Sequence, residues 1–114
     1  MGVKRGELVL VSVSGDYGKP RPALIIQSDR FSETGSLTVL LITTFTRDDL
    51  VLTRIAIEPT SENGLRKPSA IMADKIMTLP RDKVQQVIGR LAPAKMTEVN
   101  LALSLFLGLT PSAA

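Results

Sequence analysis

The chain has 114 residues, 44% of them hydrophobic, enough for one domain (1–114) whose core needs neither disulfide nor metal support. It contains no cysteine and no histidine, which removes disulfide frameworks, thiol or imidazole catalysis, and zinc sites of the usual nitrogen or sulfur type. Fourteen Lys and Arg against 11 Asp and Glu give +3, a mild basicity compatible with nucleic acid, while one tyrosine and no tryptophan leave no aromatic platform for stacking bases. Charge appears within the first five residues and no apolar run reaches the length of a signal peptide or membrane span, so a cytoplasmic location without membrane association is expected.

Glu7 to Val13 is rich in β-branched residues and short, and predicts a first strand. Gly15-Asp16-Tyr17-Gly18-Lys19-Pro20-Arg21-Pro22 follows as a polar loop that holds one arginine between two prolines. Each proline holds φ near −65° and pushes the residue before it out of the helical region. Arg21 is thereby delivered to a strand mouth with little backbone freedom, and a five-donor guanidinium so placed suits phosphate. Read alone, it is more simply an ordinary surface arginine of a Pro-rich hairpin loop.

Pro22 to Gln27 and Ser36 to Thr43 predict two buried strands joined by the polar stretch Ser28 to Gly35, with Pro22 confined to the first strand position because it lacks a ladder donor. A polar loop from Thr44 to Leu50 precedes Thr53 to Glu58, whose period-2 alternation predicts a half-exposed strand. Asn63-Gly64 marks a turn; Ser69 to Thr78 is then two short strands or one strand bent around Asp74. Val84 to Leu91 fits strand or helix by period, with β-branched content favouring strand. From Pro93 the pattern is helical, with Met96, Val99, Leu103 and Phe106 on one face and Gly108 as the stop. Leu101, Leu105, Leu107 and Leu109 make the last turns apolar all round, which implies burial in the core or, failing that, cover by a partner. Short strands followed by one helix predict a mainly β chain, a small antiparallel barrel capped by a C-terminal α-helix.

Arg5-Gly6-Glu7-Leu8, Lys19-Pro20-Arg21-Pro22-Ala23-Leu24-Ile25-Ile26-Gln27-Ser28-Asp29, Asn63-Gly64-Leu65 with Ala73-Asp74-Lys75-Ile76, and Ile88-Gly89-Arg90-Leu91 occur in this order and spacing. Together they resemble the MazF/PemK family of toxin endoribonucleases, from about Arg5 to Leu107. The resemblance implies an SH3-like barrel, a homodimer, and cofactor- and metal-independent cleavage of single-stranded RNA, often mRNA, at short sequences. It also implies a cognate antitoxin that lays a disordered segment over the RNA groove. The implied chemistry is attack of a 2′-hydroxyl on the adjacent phosphorus, leaving a 2′,3′-cyclic phosphate and a 5′-hydroxyl.

By the same resemblance Arg21 occupies the place of the catalytic arginine and Thr43 that of the catalytic threonine or serine. Asp16 and Asp74 are candidates for proton transfer, Asp74 equally for accepting backbone or Arg hydrogen bonds at a strand bend. Tyr17, Lys19, Thr44, Thr46, Arg47, Lys67, Ser69 and Lys75 are candidates for the RNA channel. Lys75 and Met77 replace the family's usual glutamine and arginine, and a lysine tracks phosphate without an acceptor for a base edge. A CcdB-like gyrase poison shares the superfold and is the alternative; Arg21-Pro22 and Thr43 favour the ribonuclease, and the absence of tryptophan disfavours the poison.

Overall fold

β-Branched and leucine-rich runs become strands wherever a glycine, proline or polar cluster interrupts them. The computed structural model describes residues 2–13, 19–44 and 52–109. Six strands, β1 (Glu7–Ser12), β2 (Pro20–Ile25), β3 (Ser36–Thr44), β4 (Arg54–Ile57), β5 (Ser69–Pro80) and β6 (Val84–Arg90), precede one helix, α1 (Pro93–Leu107). They form one antiparallel sheet in the order β4-β5-β3-β2-β1-β6.

Alternation along the strands sends Leu8, Leu24, Leu40 and Ile42 into a cluster with Val99, Ala102 and Leu103 of α1. Val9, Val11, Ala23, Ile25, Val39 and Leu41 form a second cluster from the opposite face. Burial on both faces explains the apolar run Val39-Leu40-Leu41-Ile42 in the middle of β3.

No strand ladder joins β4 to β6 among the described residues, so the expected barrel is here a curled sheet whose two ends meet through the 58–68 connection. Arg90 N donates to Glu62 O at 2.8 Å across that junction. Buried Asn63 shapes the connection: its Oδ1 accepts from Thr60 N (3.0 Å) and Leu65 N (2.9 Å), and its Nδ2 donates to Glu58 O (2.9 Å). Gly64 follows at φ 72°, and a Cβ there would run into the backbone of Ile88. Gly89 is the reciprocal constraint, because a Cβ on it would collide with Glu62 O and Asn63 C.

Two expectations change and one open alternative is decided. β2 begins at Pro20, so Pro22 is an interior residue; β2 pairs with β3 only over Ala23–Ile25, and both prolines therefore lie where the strand has a single neighbour. Ser69 to Pro80 is one strand, and its bend is a register shift against β3: Leu40 opposes Ile76 and Ile42 opposes Ile71. On α1 the inward residues are Val99, Ala102 and Leu103, whereas Leu101 (58% exposed), Leu105 (48%), Phe106 (47%) and Leu107 (50%) face outward. The helix makes its most extensive contacts with β5 and β4 and also meets Leu8, Leu24 and Leu40 of the sheet, while its last two turns leave their large apolar side chains outside this packing.

Gly89→Ala is expected to destabilise the fold by about 1–3 kcal/mol through backbone collision, while Gly35→Ala, whose Cβ meets nothing, stays near neutral. Paired urea unfolding curves check this.

Candidate active site

β2 and β3 present their chemistry-bearing residues at the same end of the sheet. Ala23 opposes Leu41 where the β2–β3 ladder ends, and Arg21 and Thr43 each lie two residues beyond that last pair, at the same end of the sheet. Both are half-buried and lie on the face that carries Ala23 and Leu41. Arg21 also opposes Val11 of β1, and Thr43 opposes Ala70 of β5, so a cation and a hydroxyl are framed by small or branched apolar neighbours. A guanidinium beside a hydroxyl on adjacent strands can hold two oxygens of one phosphate.

The other candidates divide. Lys19 and Thr44 are exposed beside Arg21 and Thr43, and Thr44 opposes Ser69. Lys67 is exposed, but Ser69 is buried and its hydroxyl donates to Lys67 O at 2.8 Å, which makes it a support for the connection before β5. Asp16, Tyr17, Thr46 and Arg47 lie outside the described residues. Among the described residues, no three acidic side chains gather into a group able to hold a metal ion.

Asp74 lies in the stretch of β5 between the partners of Ile42 and Leu40, and is engaged away from Thr43. Arg54 on β4 donates to both of its oxygens, Nε to Oδ1 at 3.0 Å and Nη2 to Oδ2 at 3.1 Å. This fits the strand-bend role considered for Asp74. The hydrogen bonds from Arg54 are the main cause holding the carboxyl below its ordinary pKa; burial opposes them, and a backbone hydrogen bond and the charges of Arg54 and Lys75 add to them. Sequence reasoning missed Arg54: alternation in Thr53-Arg54-Ile55-Ala56 shows it off the core face, but only the β4–β5 register, Arg54 opposite Met72, brings it to Asp74.

The sheet and helix match a solved endoribonuclease, from a mycobacterial species and in complex with its cognate antitoxin, at TM-score 0.81 and 27% identity, over 96% of this chain and 99% of that one. The fold is thus that of the MazF class of toxins. The family model described as PemK-like, MazF-like toxin of type II toxin-antitoxin system matches residues 4–107, and the chain belongs to that family. A probable endoribonuclease MazF of Mycolicibacterium smegmatis is 45% identical over 108 residues, covering 94% of this chain and 98% of that protein. The endoribonuclease MazF of Staphylococcus saprophyticus is 32% identical over 114 residues, covering 94% and 92%.

Because folding lowers the Asp74 pKa, its pair with Arg54 stabilises the fold above the ordinary carboxylate range and ceases to do so as pH falls through the lowered value. Asp74→Asn is expected to cost about 1 kcal/mol near neutrality, and its unfolding free energy to converge with that of the parent on acidification. Urea unfolding across a pH series reads both effects.

Proposed function

We propose that this toxin is an endoribonuclease that cleaves single-stranded RNA, mRNA foremost, in the cytoplasm without a metal. The carrying observation is that Arg21 and Thr43 each lie two residues beyond Ala23–Leu41, the last pair of the β2–β3 ladder, at the same end of the sheet and on the same face. In the reaction the RNA 2′-oxygen bonds to the adjacent phosphorus as its proton leaves, and the bond to the 5′-oxygen breaks as that oxygen gains a proton. The products are a 2′,3′-cyclic phosphate and a 5′-hydroxyl. Arg21 stabilises charge on the non-bridging oxygens of the pentacoordinate phosphorus, and Thr43 hydrogen-bonds the same phosphate to keep it in line. Since Asp74 is committed to Arg54, Asp16, in the segment leading to β2, is the carboxylate assigned to the 2′ proton. Lys19 and Lys67 add salt-dependent attraction for neighbouring phosphates.

The assembly is a homodimer with the outward apolar turns of α1 in its interface, and the partner in the cell is a cognate antitoxin with a disordered segment laid over the RNA groove. The solved mycobacterial relative in complex with its antitoxin supports the second statement.

Purified protein is expected to cut single-stranded RNA in EDTA and leave 5′-hydroxyl ends, with Arg21→Ala slowing cleavage at least about 10²-fold at unchanged melting temperature. Undiminished cutting by that variant refutes the mechanism, and intact RNA with gyrase trapped on DNA replaces it with the poison. Light scattering is expected to give twice the chain mass of 12.3 kDa, and Leu101→Asp with Leu105→Asp to return it to one chain.

A further inference from the structure

The pairing of β5 with β3 breaks between Leu40 and Ile42, whose partners are Ile76 and Ile71. Two steps on β3 correspond to five on β5, so residues 72–75 oppose Leu41 alone and must arch away from the ladder. β4 takes up part of the slack: Arg54 opposes Met72, and Ala73 N donates to Thr53 O at 2.8 Å. Such bulges turn side chains that a regular strand would point elsewhere. Lys75 stands on this arch and is exposed.

Beyond this backbone pairing, one ion pair ties the arch to β4. Arg54 and Asp74 are 19% and 25% exposed, and the two parallel hydrogen bonds fix the carboxylate in orientation as well as position. Asp74 immediately precedes Lys75, so the plane of the Asp74 carboxylate constrains the peptide that launches the lysine. Arg54 and Lys75 thus act in series, one cation neutralised and internal, the next held outward.

We propose that Arg54 is a positioning residue for RNA: by clamping Asp74 it fixes the β5 arch and aims Lys75 at a phosphate that flanks the scissile one. This rests on the ribonuclease reading above. Because of the arch, Lys75 adjoins Ile76, the partner of Leu40, and so lies about three residues along β3 from Thr43, roughly 10 Å at strand rise; from there it acts on binding at a flanking phosphate. A single point charge of this kind contributes affinity that falls with salt and carries no base preference.

The test is steady-state cleavage of a single-stranded RNA oligonucleotide over a salt series by the parent, Lys75→Ala, Arg54→Gln, Asp74→Asn, and the double variant Arg54→Gln with Lys75→Ala. Lys75→Ala is expected to raise KM about fivefold, leave kcat alone, and flatten the slope of log affinity against log salt by about 0.7, one single-strand phosphate contact. Arg54→Gln and Asp74→Asn are expected to reproduce that pattern, and the double variant to be no worse than Lys75→Ala. A parental KM and slope in Arg54→Gln overturn the positioning role; so do additive effects in the double variant, which assign Arg54 a contact of its own. If Arg54→Gln fails to fold, the near-isosteric Asp74→Asn decides by the same criteria. No change in Lys75→Ala overturns the phosphate contact. Absence of cleavage by the parent strikes the ribonuclease reading itself and is separable from all of these.

Discussion

The site depends on the register of β2 within its sheet. Strand side chains alternate with period two, so a slip of one residue would carry Ala23 and Ile25 to the face occupied by α1 and take Arg21 with them. Burial on both faces of β1, β2 and β3 forbids the slip, because Val9, Ala23, Leu24 and Leu40 have no exposed surface and each large side chain forfeits about 1.5–3 kcal/mol if returned to water. The direction of the guanidinium is therefore set by the core beneath it. Pro20 and Pro22 add a local constraint at the same residue, since Arg21 follows one fixed φ and precedes a ring that excludes helical backbone.

A second constraint governs the sheet ends. The 58–68 connection spans the gap between β4 and β6 with a buried asparagine, a glycine at positive φ, and a backbone approach so close that position 89 has no room for a Cβ. The motif Ile88-Gly89-Arg90-Leu91 is thus explained by packing, as a landing site for that connection. The same segment leads directly to Lys67 and Ser69, so its internal hydrogen bonds position whatever this rim of the site meets. Ser69 illustrates the division: its hydroxyl is spent on the Lys67 carbonyl, leaving the lysine as the exposed group.

Strand identities were legible because β-branched runs, turn residues and proline placement act locally. The placement of Arg21 and Thr43 near the ends of their strands was legible for a related reason, since the extent of each strand follows from its apolar pattern. Contacts that depend on register were not. Nothing in the spacing of Arg54 and Asp74 predicts a bidentate pair, which arises because β5 leaves β3 and continues against β4. The helix misled by being apolar all round: periodicity put Phe106 on the face of Val99 and Leu103, whereas Phe106 is half exposed and Ala102 is buried in its stead.

The absence of histidine shapes the proposed chemistry. An arginine remains protonated at any working pH, so Arg21 can stabilise the pentacoordinate phosphorus throughout the step and can never accept the 2′ proton. A carboxylate must do so, and the tighter a carboxylate is held by a cation, the weaker a base it becomes. Asp74 is held on both oxygens and is by that criterion the poorer choice, however close to a family motif it falls. Even an unpaired carboxylate has a pKa well below neutrality, so proton transfer offers limited help at physiological pH. Most of the rate enhancement in such a site must then come from charge and alignment, which is the part that a stiffened arginine and a strand-borne hydroxyl supply.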